Sequence, residues 1–191
     1  MKSRPPMFIG LLHGPILNKR GEEITTSVTN LDIHDIARSA RTFGFDGYFI
    51  ITPIEAQHGL LGRILGHWDR DEQSAYNPDR KDALQFVQLS KSLDQTISQV
   101  TEMTGEKPLL AVTGANFAED DGDENSLVQR ILIDNKPLIL LFGTGWGLPA
   151  SIIERADFRL NPILGNAKDG YNHLSVRSAV AIYCDRVTRS L

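Results

Sequence analysis

Three groups of residues have types and spacings that could do chemistry. The first is the run Pro137 to Pro149, PLILLFGTGWGLP, where an apolar strand-like stretch enters glycines at alternate positions, Gly143, Gly145 and Gly147. Glycine lets a ligand approach main-chain N–H and C=O groups closely, and the carboxyl end of a parallel strand is where α/β proteins bind nucleotide-like ligands. The run is not a Rossmann fingerprint, because Leu148 stands where the third glycine of G-x-G-x-x-G belongs. Nor is it a P-loop, because no Gly-Lys-Ser/Thr follows. Phosphate cradling is therefore disfavoured, and a purely structural glycine turn is the alternative.

The second group is the polar stretch Leu160 to Ser175, which leads into a helical pattern with Asn172, His173 and Ser175 at its mouth. A helix start offers free N–H donors suited to a carboxylate or a purine edge; the simpler reading is a helix capped by its own Asn172 or Ser175. The third group is His34, Arg38 and Arg41, whose i, i+4, i+7 spacing puts them on one helical stripe beside the apolar face of Ile33, Ile36, Ala37, Ala40 and Phe43. Such a stripe is either a solvated charged face or the wall of a crevice. A permanently charged arginine there would bind phosphate or stabilise developing charge.

Other residues promise less. The five histidines, His13, His34, His58, His67 and His173, lack H-x-x-x-H or cysteine-paired spacing, which argues against a metal site. The acidic run Glu119, Asp120, Asp121, Asp123 and Glu124 lacks the full calcium-loop pattern and reads as a solvated loop. Tyr76-Asn77-Pro78-Asp79-Arg80 reads as a turn in which an aromatic beside an arginine could clamp a base.

The elements that must position these groups alternate along the chain. Strand-like runs are Met7 to Leu12, Tyr48 to Thr52, Leu84 to Leu89, Leu109 to Thr113 and Leu138 to Phe142. Between them lie helical patterns: one through Ile33 to Phe43, with Asn30 or Asp32 as N-cap and Gly44 past its end, then Ile54 to Trp68, Leu93 to Met103, Ser126 to Asn135 and Val176 to Val187. This alternation predicts an α/β fold with a largely parallel sheet flanked by helices, and 191 residues suit a single domain, 1–191. The segments His13 to Asn30 and Asn161 to His173 are long for structureless loops, which makes both candidate binding elements. The last helix has Val176, Val180, Tyr183 and Val187 on one stripe, widened by Ala179 and Ile182, an apolar surface broad enough to suggest a subunit interface.

With 41% hydrophobic and 23% charged residues, the composition excludes a disordered or disulfide-built chain, and the lone Cys184 reads as a core residue in a reducing compartment. The apolar run after the first two cations is too short for a signal peptide, and none approaches the ~20 residues of a membrane span, so a cytoplasmic location without membrane contact is expected. The net charge is −4, but taking away the five acids of the run would leave +1, so a phosphate-bearing partner is compatible with the rest of the surface.

Together, in this order and at these distances, the three groups resemble the three motifs of the SPOUT (α/β-knot) RNA methyltransferases. Asp32 to Gly44, with Arg38 six residues after the acid and Gly44 six further on, looks like the first motif. Ile139 to Pro149 looks like the second; Leu160-Asn-Pro-Ile163 with Asn172 to Ala179 looks like the third. Ser27 to Arg38, Tyr76-Asn-Pro78, Gly143 to Pro149 and Asn172 to Arg177 resemble a bacterial subgroup that occurs alone and following a tRNA guanine-N1 methyltransferase domain. The resemblance implies a C-terminal trefoil knot, a homodimer, S-adenosylmethionine as cofactor, and methyl transfer to RNA, either tRNA or rRNA. A module that binds cofactor and RNA without catalysis is the alternative. It places the cofactor against Thr113, Gly114, Gly143, Thr144, Gly145, Trp146, Gly147, Leu148, Leu160, Pro162, Ile163, Asn172, His173, Leu174, Ser175 and Val176. Arg38 falls where the ribose-methylating branch has its functional arginine, and Asn30, His34, Arg41, Tyr76, Asn77 and Arg80 become substrate-binding candidates. The glutamate common in that branch's second motif is absent, Trp146 lying near its place, so ribose and base methylation both stay open.

Overall fold

The computed structural model describes residues 4–68, 78–117 and 119–191. Six parallel strands form its main sheet in the order β5-β4-β1-β7-β6-β8: β1 (Met7–Leu12), β4 (Gly47–Ile51), β5 (Val87–Ser90), β6 (Leu109–Val112), β7 (Leu138–Gly143) and β8 (Phe158–Arg159). The two inner strands β1 and β7 are buried almost throughout, which is why they read as continuous apolar runs and not as alternating ones.

Side chains alternate across the pleat and build two cores. Met7, Ile9 and Leu11 of β1 point, with Tyr48, Ile50, Leu140 and Phe142, toward α1 (Asn30–Thr42), α5 (Glu124–Asp134) and α7 (Val176–Arg189). Phe8 and Leu12 point the other way, with Phe49, Ile51, Ile139 and Leu141, toward α4 (Leu93–Thr104) and the short α6 (Ala150–Ile153). Helices α2 (Glu55–Trp68) and α3 (Pro78–Leu84) flank the first core through Leu61, Ala83 and Leu84.

Several local expectations give way to physical detail. The N-cap of α1 is Thr29: its side chain accepts from the N–H of Asp32, whose carboxylate in turn accepts from the N–H of Thr29, a capping box with Asp32 at its third position. Leu84 ends a helix, and the third apolar run becomes a strand only from Val87, after the Gln85 and Phe86 amides have closed the last turn of α3 on Lys81 and Ala83. Pro78 is the first residue of that helix, where its missing N–H is harmless, so the expected turn is a helix start; Tyr76 and Asn77 lie outside the described residues.

The acidic run is structural more than solvated. Asp123 caps α5, Asp121 pairs with Arg159 of β8 at 3.0 Å, and Glu124 pairs with Arg186 of α7 at 3.2 Å. Hydrogen bonds from Arg159 hold the Asp121 carboxyl below its ordinary pKa range. Most of the broad apolar face of α7 is covered within the chain: Val180, Tyr183, Cys184 and Val187 are buried, leaving Ala179 and Ile182 half-buried. Burial pushes the Cys184 thiol pKa up and the Tyr183 phenol to about 12. No helix among the described residues is long and apolar enough to cross a membrane.

Candidate functional site

The carboxyl ends of β1, β7 and β6 lie side by side, with Leu12 opposite Gly143 and Val112 opposite Leu141, so the residues that follow each strand converge. Chain direction across the sheet also reverses here, since β1 is followed outward by β4 and β5 while β7 and β6 lie on its other side. In open α/β sheets such a point is where ligands bind.

The glycine loop is shaped by a segment that sequence reading left as a loop. Residues after His13 fold into a small hairpin, β2 (Ile16–Leu17) with β3 (Glu23–Ile24), and β2 pairs with the glycine loop: Leu17 N–H donates to Gly147 O and Trp146 N–H to Leu17 O, both at 2.9 Å. Gly145 has φ +59°, and a Cβ there would stand 2.6 Å from Ile16 Cδ1 and 2.9 Å from Leu17 O. The close approach that this glycine permits is therefore to the protein's own hairpin. Gly147, at φ +104°, has nothing within 4 Å of a Cβ position and is the glycine that faces open space. Leu148 is buried in the second core, and Gly143 packs against it.

The neighbouring strand ends are likewise engaged. Thr113 donates both N–H and hydroxyl to Leu141 O at 3.0 Å, Gly114 lies against Phe117, and Leu160 N–H donates to Val112 O. Leu160 is fully buried; Pro162, Ile163 and Val176 are half-buried. Asn172 does not cap α7. Its Oδ1 accepts from Gly165 N–H (2.8 Å) and its Nδ2 donates to Ile163 O (3.1 Å), clasping the loop, while Ser175 is the cap and accepts from Ser178 N–H. Trp146 is 58% exposed, Tyr171 64% and Leu174 49%. The His173 ring lies between two of these, 6.4 Å from Trp146 and 5.6 Å from Tyr171. The N–H groups of Leu148 and Leu174 carry no hydrogen bond among the described residues. The glycine loop and the 161–175 loop thus share an aromatic rim, open at Gly147.

The stripe on α1 divides into residues already occupied and one that is not. Arg41 pairs with Asp82 at 2.6 Å and lies over the Phe86 ring, and Arg80 lies 5.1 Å over the Trp68 ring. His34 meets the edge of Trp68 at 5.7 Å, and its Nδ1 is buried without a hydrogen-bond partner among the described residues. Burial, aided by the Arg80 and Arg38 cations and opposed by Asp35, pulls its pKa down, so the ring is neutral at physiological pH. Arg38 is exposed, has no ion pair or hydrogen bond among the described residues, and borders a hollow of about 330 Å³ with Asp35, Ser39, Thr42 and Phe43. Asn30, the first residue of α1, is also exposed.

Two linkages here escaped sequence reasoning. Arg177 of α7 donates to the buried Asp32 at 2.9 Å and lies 3.6 Å from Asp35, tying the start of the last helix to the start of the first. His13, Thr26 and Thr144 form a hydrogen-bonded chain from the end of β1 to the glycine loop. The only sequence signal for it is the parity of His13, which continues the inward series Met7, Ile9, Leu11. A larger hollow of about 690 Å³ lies beyond the hairpin, but its cations Lys91 and Arg155 are paired with Glu55 and Asp94, and no cofactor candidate lines it.

A sequence profile of the family described as SAM-dependent RNA methyltransferase matches residues 6–189. The chain belongs to this family. The chain is also 45% identical over 181 residues to a tRNA (guanine-N(1)-)-methyltransferase of Oleidesulfovibrio alaskensis. That alignment covers 95% of this chain and 41% of the relative, so the chain spans less than half of that protein's length. Among solved structures, a probable methyltransferase from Bordetella pertussis Tohama I shares the fold with a TM-score of 0.65 at 15% identity, over 97% of this chain and 96% of the other. The SpoU methyltransferase AviRb from Streptomyces viridochromogenes, solved in complex with the cofactor AdoMet, matches with a TM-score of 0.56 at 15% identity, over 99% of this chain and 59% of that one. The sheet and its flanking helices are thus those of the SpoU-type methyltransferases.

Proposed function

We propose that this family member transfers a methyl group from S-adenosylmethionine to RNA, with tRNA as the first substrate to test because the 45% identical relative is named for tRNA. The observation that carries the reading is the open rim at Gly147, inside a chain whose family match runs nearly end to end. The residues fit the cofactor: open backbone at Gly147, the unpaired amides of Leu148 and Leu174 as donors for a purine edge, and the Trp146, Tyr171 and His173 rings as apolar walls. When bound, the cofactor supplies an electrophilic methyl on a sulfonium, and the protein's task is alignment and exclusion of water. Arg38, which has no ion pair among the described residues, holds an RNA phosphate or charge developing on the acceptor, while Arg41 chiefly braces α1 against α3 and Arg80 lies against Trp68 of α2.

The same reading includes a single methyltransferase unit over 1–191, a threaded chain through 161–175, a cytoplasmic location and a homodimer. What supports the dimer is the exposure of Trp146, Leu164, Tyr171 and Leu174 around one loop, a patch of the kind that marks an interface. Light scattering at low micromolar concentration should give twice the 21.2 kDa chain mass.

Mass spectrometry of RNA from a strain lacking the gene tests the activity: one methylated nucleoside should vanish and return with the gene. No change under several growth conditions rejects catalysis and leaves the binding-module alternative. Arg38→Ala should cut turnover on that RNA by about two orders of magnitude, roughly 3 kcal/mol, and leave cofactor affinity near the parent's. Full turnover would make Arg38 an ordinary surface charge.

A further inference from the structure

One donor direction along the side chains joining the end of β1 to the glycine loop satisfies their short contacts together. His13 Nδ1 is 3.1 Å from Thr26 Oγ1, Thr26 Oγ1 is 2.7 Å from Thr144 Oγ1, and Thr144 Oγ1 is 3.2 Å from the carbonyl oxygen of Leu12. A carbonyl only accepts, so Thr144 donates to Leu12 O. Thr26 then donates to Thr144, and the acceptor left on Thr26 is filled by His13 Nδ1–H. The opposite order would give up the Leu12 contact for the 3.4 Å approach of Thr26 Oγ1 to His13 O. His13 is accordingly the Nδ1–H tautomer, its ring 1% exposed, with Nε2 buried and without a hydrogen-bond partner among the described residues.

The three residues belong to three pieces of the site. His13 follows β1, Thr144 begins the glycine loop, and Thr26 lies in the segment that enters α1, four residues before Asn30 and twelve before Arg38. Backbone bonds reinforce the same junction: Thr26 N–H donates to His13 O at 2.8 Å, His13 N–H to Ile51 O at 2.9 Å. The glycine loop at Thr144 and the lead-in of the helix that bears Arg38 are thus joined through one hydroxyl, that of Thr26.

We propose that His13 is a positioning residue for methyl transfer: its Nδ1–H orients the Thr26 and Thr144 hydroxyls and so sets the glycine loop in register with the start of the RNA-facing helix. This rests on the methyltransferase reading, so the parent protein is measured first. If the parent neither binds S-adenosylmethionine nor methylates RNA, that reading fails, whatever His13 does.

Given an active parent, Thr26→Val, which removes the central hydroxyl at nearly constant volume, should weaken S-adenosylmethionine binding by calorimetry and lower kcat, on the order of tenfold or more in their product. His13→Ala should do the same. His13→Asn keeps an N–H donor where Nδ1 stands and should recover most of the loss; His13→Gln, with its amide placed nearer Nε2, should not. A merely structural histidine would lower the melting temperature and leave affinity and kcat of the folded protein alone. That outcome for Thr26→Val overturns the proposal even if His13→Ala fails to fold, as does equal activity of the Asn and Gln variants. Nitrogen-15 spectra of labelled histidine should show His13 protonated at Nδ1; an Nε2–H ring there overturns the chain's direction.

Discussion

The two long segments that sequence reading marked as binding elements turn out to be opposites. Residues 13–30 begin inward, with His13 and Ile16 buried and Leu17 bonded twice to the glycine loop, although 19–25 stay exposed. Residues 161–175 contain neither helix nor strand, fold back on themselves through Asn172, and hold Leu164, Tyr171 and Leu174 out to solvent. The first segment supplies scaffold that gives the glycine loop its shape, and the second is exposed surface. A long loop without regular structure in the sequence can thus serve either purpose, and what separates the two is where its backbone hydrogen bonds end.

The sharpest test of the scaffold side is Gly145→Val. Its Cβ would strike Ile16 and the Leu17 carbonyl at a positive φ, so a loss of roughly 2 to 5 kcal/mol is expected in urea unfolding, from backbone strain plus overpacking. Gly147→Ala carries positive-φ strain but meets no atom, so it should cost less stability than Gly145→Val while lowering cofactor affinity. Equal destabilisation by the two would erase the distinction between the inner and open sides of the loop.

Acid gives the next largest effect. Burial lowers the His13 pKa from 6.5 to about 4, against the opposing pull of Asp32. Between those values the unfolded chain binds a proton that the folded one does not, so stability is fully present above pH 6.5 and is lost as pH falls through the window toward 4. The loss amounts to about 3 kcal/mol. Unfolding free energies measured across this range should show that slope in the parent and not in His13→Asn; the same slope in both would assign it to other groups.

How far the sequence carried this reading depends on what set each feature. Inner strands such as Leu138–Gly143 were legible because burial on both faces leaves a continuous apolar run. The two-residue strands Ile16–Leu17 and Phe158–Arg159 left no such trace. Spacing alone put His34, Arg38 and Arg41 on one stripe but could not tell them apart, since what occupies Arg41 is Asp82, on a helix that the sequence reading had not placed. The glycine loop was readable from the sequence; which of its glycines lies open was decided by a hairpin more than a hundred residues away.

On the exposed side the effects should be smaller. Asn172→Ala removes both clasping bonds of the 161–175 loop, and a loss of about 1 to 2 kcal/mol is expected by thermal unfolding, together with weaker cofactor binding. Tyr171→Ala and Leu174→Ala should leave stability within about 0.5 kcal/mol, since neither side chain is buried, yet shift the dimer equilibrium or cofactor affinity. If both measurements stay at parent values, the second loop is bare surface and the contrast loses its functional half.

The strand order has a consequence for synthesis. Strand β6 lies between β7 and β8, both of which come after it in the chain, whereas β1, β4 and β5 already stand side by side when residue 90 has been made. A nascent chain that has reached Lys136 therefore carries Leu109–Val112 with neither lateral neighbour, while the Met7–Leu12 strand keeps one edge unpaired. One edge of each closes in a single event, when Leu138–Gly143 slides between them. Chains halted before that point expose three strand edges that the finished sheet covers, two on Leu109–Val112 and one on Met7–Leu12, and should be strong clients for chaperones, whereas chains halted shortly after Gly143 keep one of the three open and should aggregate less.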